Sequence, residues 1–334
     1  MHKPLLFALS ESAMLGAQLA ERTGIPLAPL EESRFEEGEF KLRPRASVRD
    51  RTVFVVESLA GSAAMPVAQR LLRLLFLLYG LRDAGASRVI AVVPYLSFAR
   101  IDCRTQARDP VNTRYVAQLL EAAGMTQLIT LDVHNPAALD NAFRIPVDHL
   151  SAIPMFVDHF ATRSATASIA VVSPDVGGIK RVQVFRELLE HRLGRDIELA
   201  FIEKRRSGGT ISGGRVVGQV QGCEVIILDD LCASGGTLIR AATAIQDAGA
   251  KAVHVAVTHT PFAKGIDALA ADAAITQVVV TDSVEADSHH PSAGLGGKMC
   301  VLHVAPLFGQ AIARICTGMP LAPLLTESPL ADAS

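Results

Sequence analysis

No tryptophan occurs among the 334 residues and aromatics supply only 5% of them, so the 49% that is apolar is largely aliphatic. That length and apolar share suffice for two domains with substantial cores. Neither sign of charge is in excess: 32 Lys and Arg face 34 Asp and Glu, for a formal net charge of −2. The cations are dispersed, which argues against a nucleic-acid footprint or a membrane-surface patch and leaves small molecules as the expected partners. Cysteine is scarce. Cys103, Cys223, Cys232, Cys300 and Cys316 are odd in number, far apart and without a CxxC pair, so neither a disulfide framework nor a zinc site is expected. A reducing cytoplasmic setting follows as the expectation. Long hydrophobic runs are also missing. LLRLLFLLYGL at 71–81 is too short for a bilayer and carries Arg73, so it predicts a buried helix. The start, MHKPLLFALSESAMLGAQLA, is interrupted by Glu11 where a signal peptide would stay apolar, and predicts a first strand and helix.

What is present is a repeat. Laid against 224–267, residues 52–102 match TVFVVESLAGS with EVIILDDLCAS, and DAGASRVIAVVPYLSFARID with DAGAKAVHVAVTHTPFAKGID. Each copy reads strand, loop, helix, Asp-Ala-Gly-Ala turn, strand, which is βαβ grammar. The fold class expected is α/β, with two tandem similar domains, each an open, mostly parallel sheet flanked by helices. Such sheets bind ligands beyond the carboxyl ends of their strands. Further strands are predicted at 128–132, 169–173, 198–203 and 277–281. The expected boundaries are a first domain over 1–150, closed by an Ile-Pro turn, and a second over 151–304. Residues 305–334 are expected to form a helix packing back on the first domain, and a tail.

The copies differ at the strand ends, where Glu57-Ser58-Leu59-Ala60 in the first faces Asp229-Asp230-Leu231-Cys232 in the second. Only the second continues into Ser234-Gly235-Gly236-Thr237, a small Gly-rich turn opening a helix. Paired carboxylates can accept hydrogen bonds from vicinal ribose hydroxyls or hold a hydrated cation, and backbone N–H groups at a helix N-terminus suit a phosphate. The plain alternative is an ordinary connecting loop with a Ser cap.

Other segments carry similar chemistry. LDVH (131–134) ends a predicted strand with Asp132 and His134, possible donors to a divalent ion. SPDVGG (173–178) ends another with Asp175 before two glycines. EKRRSGGTISGG (203–214) sets Lys204, Arg205 and Arg206 beside a flexible glycine run, FARIDCR (98–104) gathers Arg and Asp, and FEEGE (35–39) reads as an acidic turn. Each alone is a weak signal.

In this order, with VVPYLSFARID, IPVDHL, VTHTPF and the closing LHVAPLFGQAIARI, they resemble the ribose-phosphate pyrophosphokinase family over nearly the whole chain. The resemblance implies two phosphoribosyltransferase-type domains. It also implies transfer of the β,γ-diphosphoryl group of Mg-ATP to the anomeric hydroxyl of ribose 5-phosphate, giving phosphoribosyl pyrophosphate and AMP. Carried over by position, Asp229 and Asp230 match the residues that hold the ribose hydroxyls, and Ser234, Gly235, Gly236 and Thr237 the loop around the 5-phosphate. His134 and Asp175 match metal-associated positions, with Mg²⁺ as the cofactor. Lys204 and Arg206 match the cations of a mobile catalytic loop. Arg100 and Asp102 match the ATP-binding segment, and Phe35, Glu37 and Glu39 a turn that a neighbouring subunit contributes, so a homo-oligomer with a shared ATP site is implied.

The sequence departs from the family pattern in places. Ala233 stands where most members have an acidic residue, Ile101 and Cys103 replace an amide and a cation, and NPAALDNAF replaces a Gln-rich stretch after His134. A non-catalytic regulatory homologue, and a phosphoribosyltransferase consuming phosphoribosyl pyrophosphate, are the competing readings. Retention of Asp229, Asp230, Lys204, Arg206, His134 and Asp175 favours the active enzyme.

Overall fold

The computed structural model describes residues 2–62, 64–162, 168–207, 210–261, 263–284 and 297–327, with the side chains of 204–207, 210–213 and 263 outside that description. Within it the chain divides into two compact units. One runs over Met1–Ser151, with Ser283–Glu285 and Val304–Leu321 returning to it; the other holds Ala152–Asp282, Ala286–His303 and Ala322–Ser334.

The first unit runs β1 (Leu5–Ala8), α1 (Ala13–Thr23), the pair β2 (Leu30–Arg34) and β3 (Phe40–Pro44), β4 (Thr52–Val56), α2 (Val67–Asp83), β5 (Arg88–Val93), α3 (Asn112–Ala122), β6 (Gln127–Leu131), α4 (Pro136–Ala142) and β7 (Val147–Leu150). The second runs α5 (Ile153–Ala161), β8 (Ile169–Ser173), α6 (Ile179–Leu193), β9 (Glu198–Ser207), β10 (Thr210–Val217), β11 (Glu224–Leu231), α7 (Gly236–Asp247), β12 (Ala252–His259), α8 (Ala263–Ala271), β13 (Gln277–Thr281) and β14 (Met299–Leu302). A last helix, α9 (Ala305–Thr317), lies against α1 in the first unit, where Gly309 lets it approach Arg22.

Strands such as TVFVV and RVIAVV are almost continuously apolar because helices cover both faces of a parallel sheet. The first sheet has the order β1-β4-β5-β6-β7 and the second β10-β9-β8-β11-β12-β13-β14. All pairs are parallel except β9 with β10. Remove β9 and β10 and the two orders coincide, so the duplication read from two βαβ stretches extends over five strands. Beneath the first sheet α2 seats Leu74, Leu77, Leu78 and Leu81, all fully buried, each contributing about 1.5–3 kcal/mol. In the second unit α7 does the same with Leu238, Ala241 and Ile245 against Val225, Ile227, Val253 and Val255.

Two expectations need correcting. The Ile-Pro turn does not close the first sheet: Pro146 leads straight into β7, its carbonyl accepting the Leu128 N–H at 3.1 Å. The sequence pattern ends the strand at 203 and leaves the glycine run after Arg206 as a loop, but β9 continues to Ser207 and pairs with β10, with a register shift between Ile211 and Gly214. A Cβ at Gly214 would stand 2.2 Å from Ile202 Cγ2, so glycine permits the close pairing there.

Candidate functional site

In the second unit β11 carries four buried apolar residues, Val225 to Leu228, and then the two carboxylates. Its ladder with β8 ends at Ile227, whereas that with β12 continues to Leu231. Asp229 and Asp230 therefore lie past the last rung on the β8 side, where the ladder leaves a gap. Arg181, from the first turn of α6, fills part of that gap. Its Nη1 lies 2.9 Å from Asp230 Oδ1 and 3.6 Å from Asp229 Oδ1. Asp229 Oδ1 also accepts the Asp230 N–H at 2.9 Å. The Asp230 side chain is 6% exposed and that of Asp229 22%, so the second is the more open of the two. Burial, then the neighbouring Asp230 charge, push the Asp229 carboxyl up to about 8, against the pull of Arg181.

Beyond the pair the chain turns through Cys232 to Gly235. Cys232 is buried, its N–H donates to the His259 carbonyl at 2.9 Å, and burial pushes its thiol up to about 11. It is a packing residue, not a nucleophile. Gly235 has φ +77°, the left-handed region, and a Cβ there would stand 2.9 Å from the Gly265 carbonyl oxygen. A Cβ at Gly265, on α8, would in turn stand 2.7 Å from the Ala233 carbonyl oxygen. Two glycines thus let loop and helix touch backbone to backbone. The residue before α7 is Gly235, no side chain caps the helix, and Ser234 is exposed. The ordinary Ser-capped loop is therefore not what forms. The first-turn N–H groups of α7 remain for an anion, and Arg240 one turn later donates to Thr237 Oγ1 at 3.4 Å.

The other strand-end loop of this unit is built by Asp175, whose Oδ1 accepts the N–H groups of Gly177 at 3.0 Å and Gly178 at 3.3 Å. Ser173 Oγ donates to the Asp175 carbonyl at 2.5 Å, and a Cβ on Gly178 would lie 2.7 Å from that hydroxyl oxygen. This turn feeds directly into α6 and hence into Arg181. The side chains of Lys204 and Arg206 lie outside the described residues; their backbones pair with Gly214 and Ile211.

In the first unit Phe35, Glu37 and Glu39 form the exposed tip of the β2–β3 hairpin, closed by Phe35 N–H to the Glu39 carbonyl at 2.8 Å. Arg100 is exposed and Asp102 half-buried, on the segment after β5. His134 is exposed at the end of β6. Asp132 is not beside it as a second open donor. It is 5% exposed, has φ +36°, and accepts from Ser151 Oγ at 2.8 Å, while the Val133 N–H donates to His149 Nε2 at 3.0 Å. Residues 149–151 thus clamp the turn that presents His134. At the position corresponding to Asp229, Glu57 is fully buried, accepts from Ser12 Oγ at 3.1 Å and lies 3.8 Å from Arg70. The first copy of the acidic strand end is filled by its own side chains.

Among the described residues no group of three or more His, Cys, Asp or Glu side chains is arranged to cage a metal ion. That disfavours a closed site but fits a hard cation that keeps most of its waters and takes one or two protein donors. Asp175, a half-buried carboxylate at a strand end, has the right chemistry for it. Sequence reasoning missed Arg181, Gly265 and Arg240. Arg181 stands six residues after Asp175, but nothing in the sequence says that it reaches across to β11.

Residues 5–124 match the model for the N-terminal domain of ribose phosphate pyrophosphokinase, and 155–289 that for the phosphoribosyl transferase domain. The chain is 34% identical to a ribose-phosphate pyrophosphokinase of Caldanaerobacter subterraneus subsp. tengcongensis over 322 residues, covering 96% of this chain and 97% of that one. It is 35% identical to ribose-phosphate pyrophosphokinase 1 of Streptococcus pneumoniae (strain TIGR4) over 323 residues, 96% of each. Its fold matches the crystal structure of phosphoribosylpyrophosphate synthetase from Mycobacterium smegmatis with a TM-score of 0.84 at 29% identity, covering 95% of this chain and 100% of that one. Duplicated parallel sheets, an acidic strand end beside an uncapped helix, and full-length similarity together place this chain in the ribose-phosphate pyrophosphokinase family.

Proposed function

We infer that this chain is a ribose-phosphate diphosphokinase, moving the β,γ-diphosphoryl group of ATP to the anomeric hydroxyl of ribose 5-phosphate, with AMP as the other product. The observation that carries this reading is the pairing, in one unit, of Asp229 and Asp230 with the uncapped N-terminus of α7. A vicinal diol docks on carboxylate oxygens, and a phosphate ester docks on helix N–H groups with Arg240 near by. One ligand carrying both groups is a phosphorylated pentose.

The transfer needs no covalent enzyme intermediate. The anomeric oxygen attacks the β-phosphorus, the bond from that phosphorus to the α-phosphate oxygen breaks, and AMP leaves with that oxygen. Catalysis then consists of alignment and of neutralising charge in transit. In this reading Ser234, Gly235, Gly236 and Thr237 seat the 5-phosphate, and Lys204 and Arg206 stabilise the diphosphoryl group. Arg100 and Asp102 contact ATP. His134 and Asp175 hold a divalent cation, Mg²⁺, whose bound form supplies charge neutralisation on the ATP phosphates. Phe35, Glu37 and Glu39, at the tip of an exposed hairpin, complete the ATP site of a neighbouring copy in a homo-oligomer. All five cysteines are free thiols, which supports a cytoplasmic setting, and among the described residues no helix is long and apolar enough to cross a membrane.

Purified protein incubated with ATP, ribose 5-phosphate and Mg²⁺ should release AMP only when the sugar is present, with phosphoribosyl pyrophosphate in equal amount. Consumption of added phosphoribosyl pyrophosphate by a nucleobase, without such AMP release, would instead identify a transferase. Absence of any turnover would point to a regulatory homologue.

A further inference from the structure

Arg181 is the cation nearest the acid pair among the described contacts, and its placement is specific. It is only 17% exposed, and it bridges a carboxylate in the wall of the unit, Asp230, to the more open one, Asp229. It also stands three residues after Gly178, at the start of the helix that the Asp175 turn feeds. The guanidinium therefore ties two strand ends together, that of β8 and that of β11. Where the β8 ladder stops at Ile227, this ion pair is what spans the gap.

We propose that Arg181 is a positioning residue for the sugar half of the reaction, fixing the orientation and charge of Asp229 and Asp230 so that they accept a vicinal diol. The proposal rests on the ribose 5-phosphate reading above. Two adjacent carboxylates, one almost wholly buried, repel each other and lose hydration. Without the guanidinium the Asp230 carboxylate is free to turn, and that change removes an acceptor that a ribose hydroxyl needs. Arg181 does not touch the diphosphoryl group in this account, so its influence falls on the sugar and not on ATP.

The test is steady-state kinetics of Arg181→Met, Arg181→Gln and Arg181→Lys, with melting curves alongside. The Met and Gln variants should raise KM for ribose 5-phosphate about tenfold or more, the loss expected for a hydrogen bond to a charged group. KM for ATP should stay within about twofold and kcat within about threefold, and the Lys variant should recover most of the sugar KM. A purely structural role predicts the opposite: lower melting temperature and lower kcat, with both KM values unchanged. Unchanged sugar KM in the Gln variant, an equal rise for ATP, or a Lys variant no better than Met would overturn the proposal. Should the Met variant fail to fold, the Gln and Lys pair decides by the same criteria. Wild-type protein without sugar-dependent AMP release would sink the functional reading instead, and calorimetric titration of ribose 5-phosphate without ATP reads Arg181 separately from turnover.

Discussion

Asp229 has an ionisation that bears on stability and, in the proposed site, on sugar binding. Its folded value of about 8 lies above its ordinary 3.8, so the folded state binds the proton more tightly than the unfolded chain does. The stability due to that proton is complete below the ordinary value and is lost as pH rises through about 8. Asn cannot ionise, so ligand-free Asp229→Asn should melt above wild type at about pH 9, by at least roughly 2 °C, and the gap should close toward about pH 4. Melting curves across pH decide it; a gap independent of pH refutes the assigned titration. Lys204 is the corresponding test of chemistry. Lys204→Ala should lower kcat by about 10²–10³ while both KM values move little, as expected for a charge that acts in the transition state. If kcat is unchanged, Lys204 leaves the mechanism. In the proposed sugar site Ala233 puts no carboxylate beside the loop, so small changes around the acid pair should weigh on sugar binding.

Helix α8 sets the position of the 232–235 loop, proposed above for the sugar phosphate, because it touches it through glycine. Adding one methyl at Gly265 puts carbon 2.7 Å from the Ala233 carbonyl oxygen and 3.1 Å from Cys232 Sγ, both held by neighbours. Gly265→Ala should therefore cost about 1–3 kcal/mol of stability by overpacking and raise the sugar KM, leaving that for ATP unchanged. Denaturant unfolding and kinetics check the two parts. The hairpin β2–β3 shows how an element escapes sequence reading. LEESR lacks the alternation of a strand, and FKLRP alternates only over Phe40 to Arg43 before Pro44, yet they pair over five registers. What anchors them is tertiary: Glu32 meets the buried Arg73 of α2, and Phe40 packs on Phe76 at 5.3 Å between ring centroids.

Across the whole molecule the duplication has been put to unequal use. One copy leaves its acidic strand end open beside a bare helix terminus, and the other plugs it with Glu57, Arg70 and Ser12. The pentose site proposed above accordingly lies in the second copy. In the proposed shared ATP site, the exposed hairpin tip, with Phe35 nearly half exposed, is the part of the first unit that reaches a neighbouring copy. Phe35→Ala should raise KM for ATP and spare that for the sugar, and specific activity should fall on dilution as the assembly dissociates. Sedimentation at the assay concentrations links the two; full activity from a monomer would exclude a shared ATP site.

Much of this was legible in the residues. The apolar βαβ copies gave the parallel sheets, because a strand covered on both faces must be apolar throughout, and the Asp229-Asp230 to Thr237 stretch marked by its chemistry the strand end proposed for the sugar. The pairing of distant charges was not legible, since sequence carries residue type but not which side chains share a gap. Glu11 and Arg73, each of which interrupts an apolar run, meet at 2.5 Å. Arg181 reaches Asp230 across 49 residues for the same reason. A buried charge needs a partner, but only the packing of sheets and helices decides which partner lies within reach.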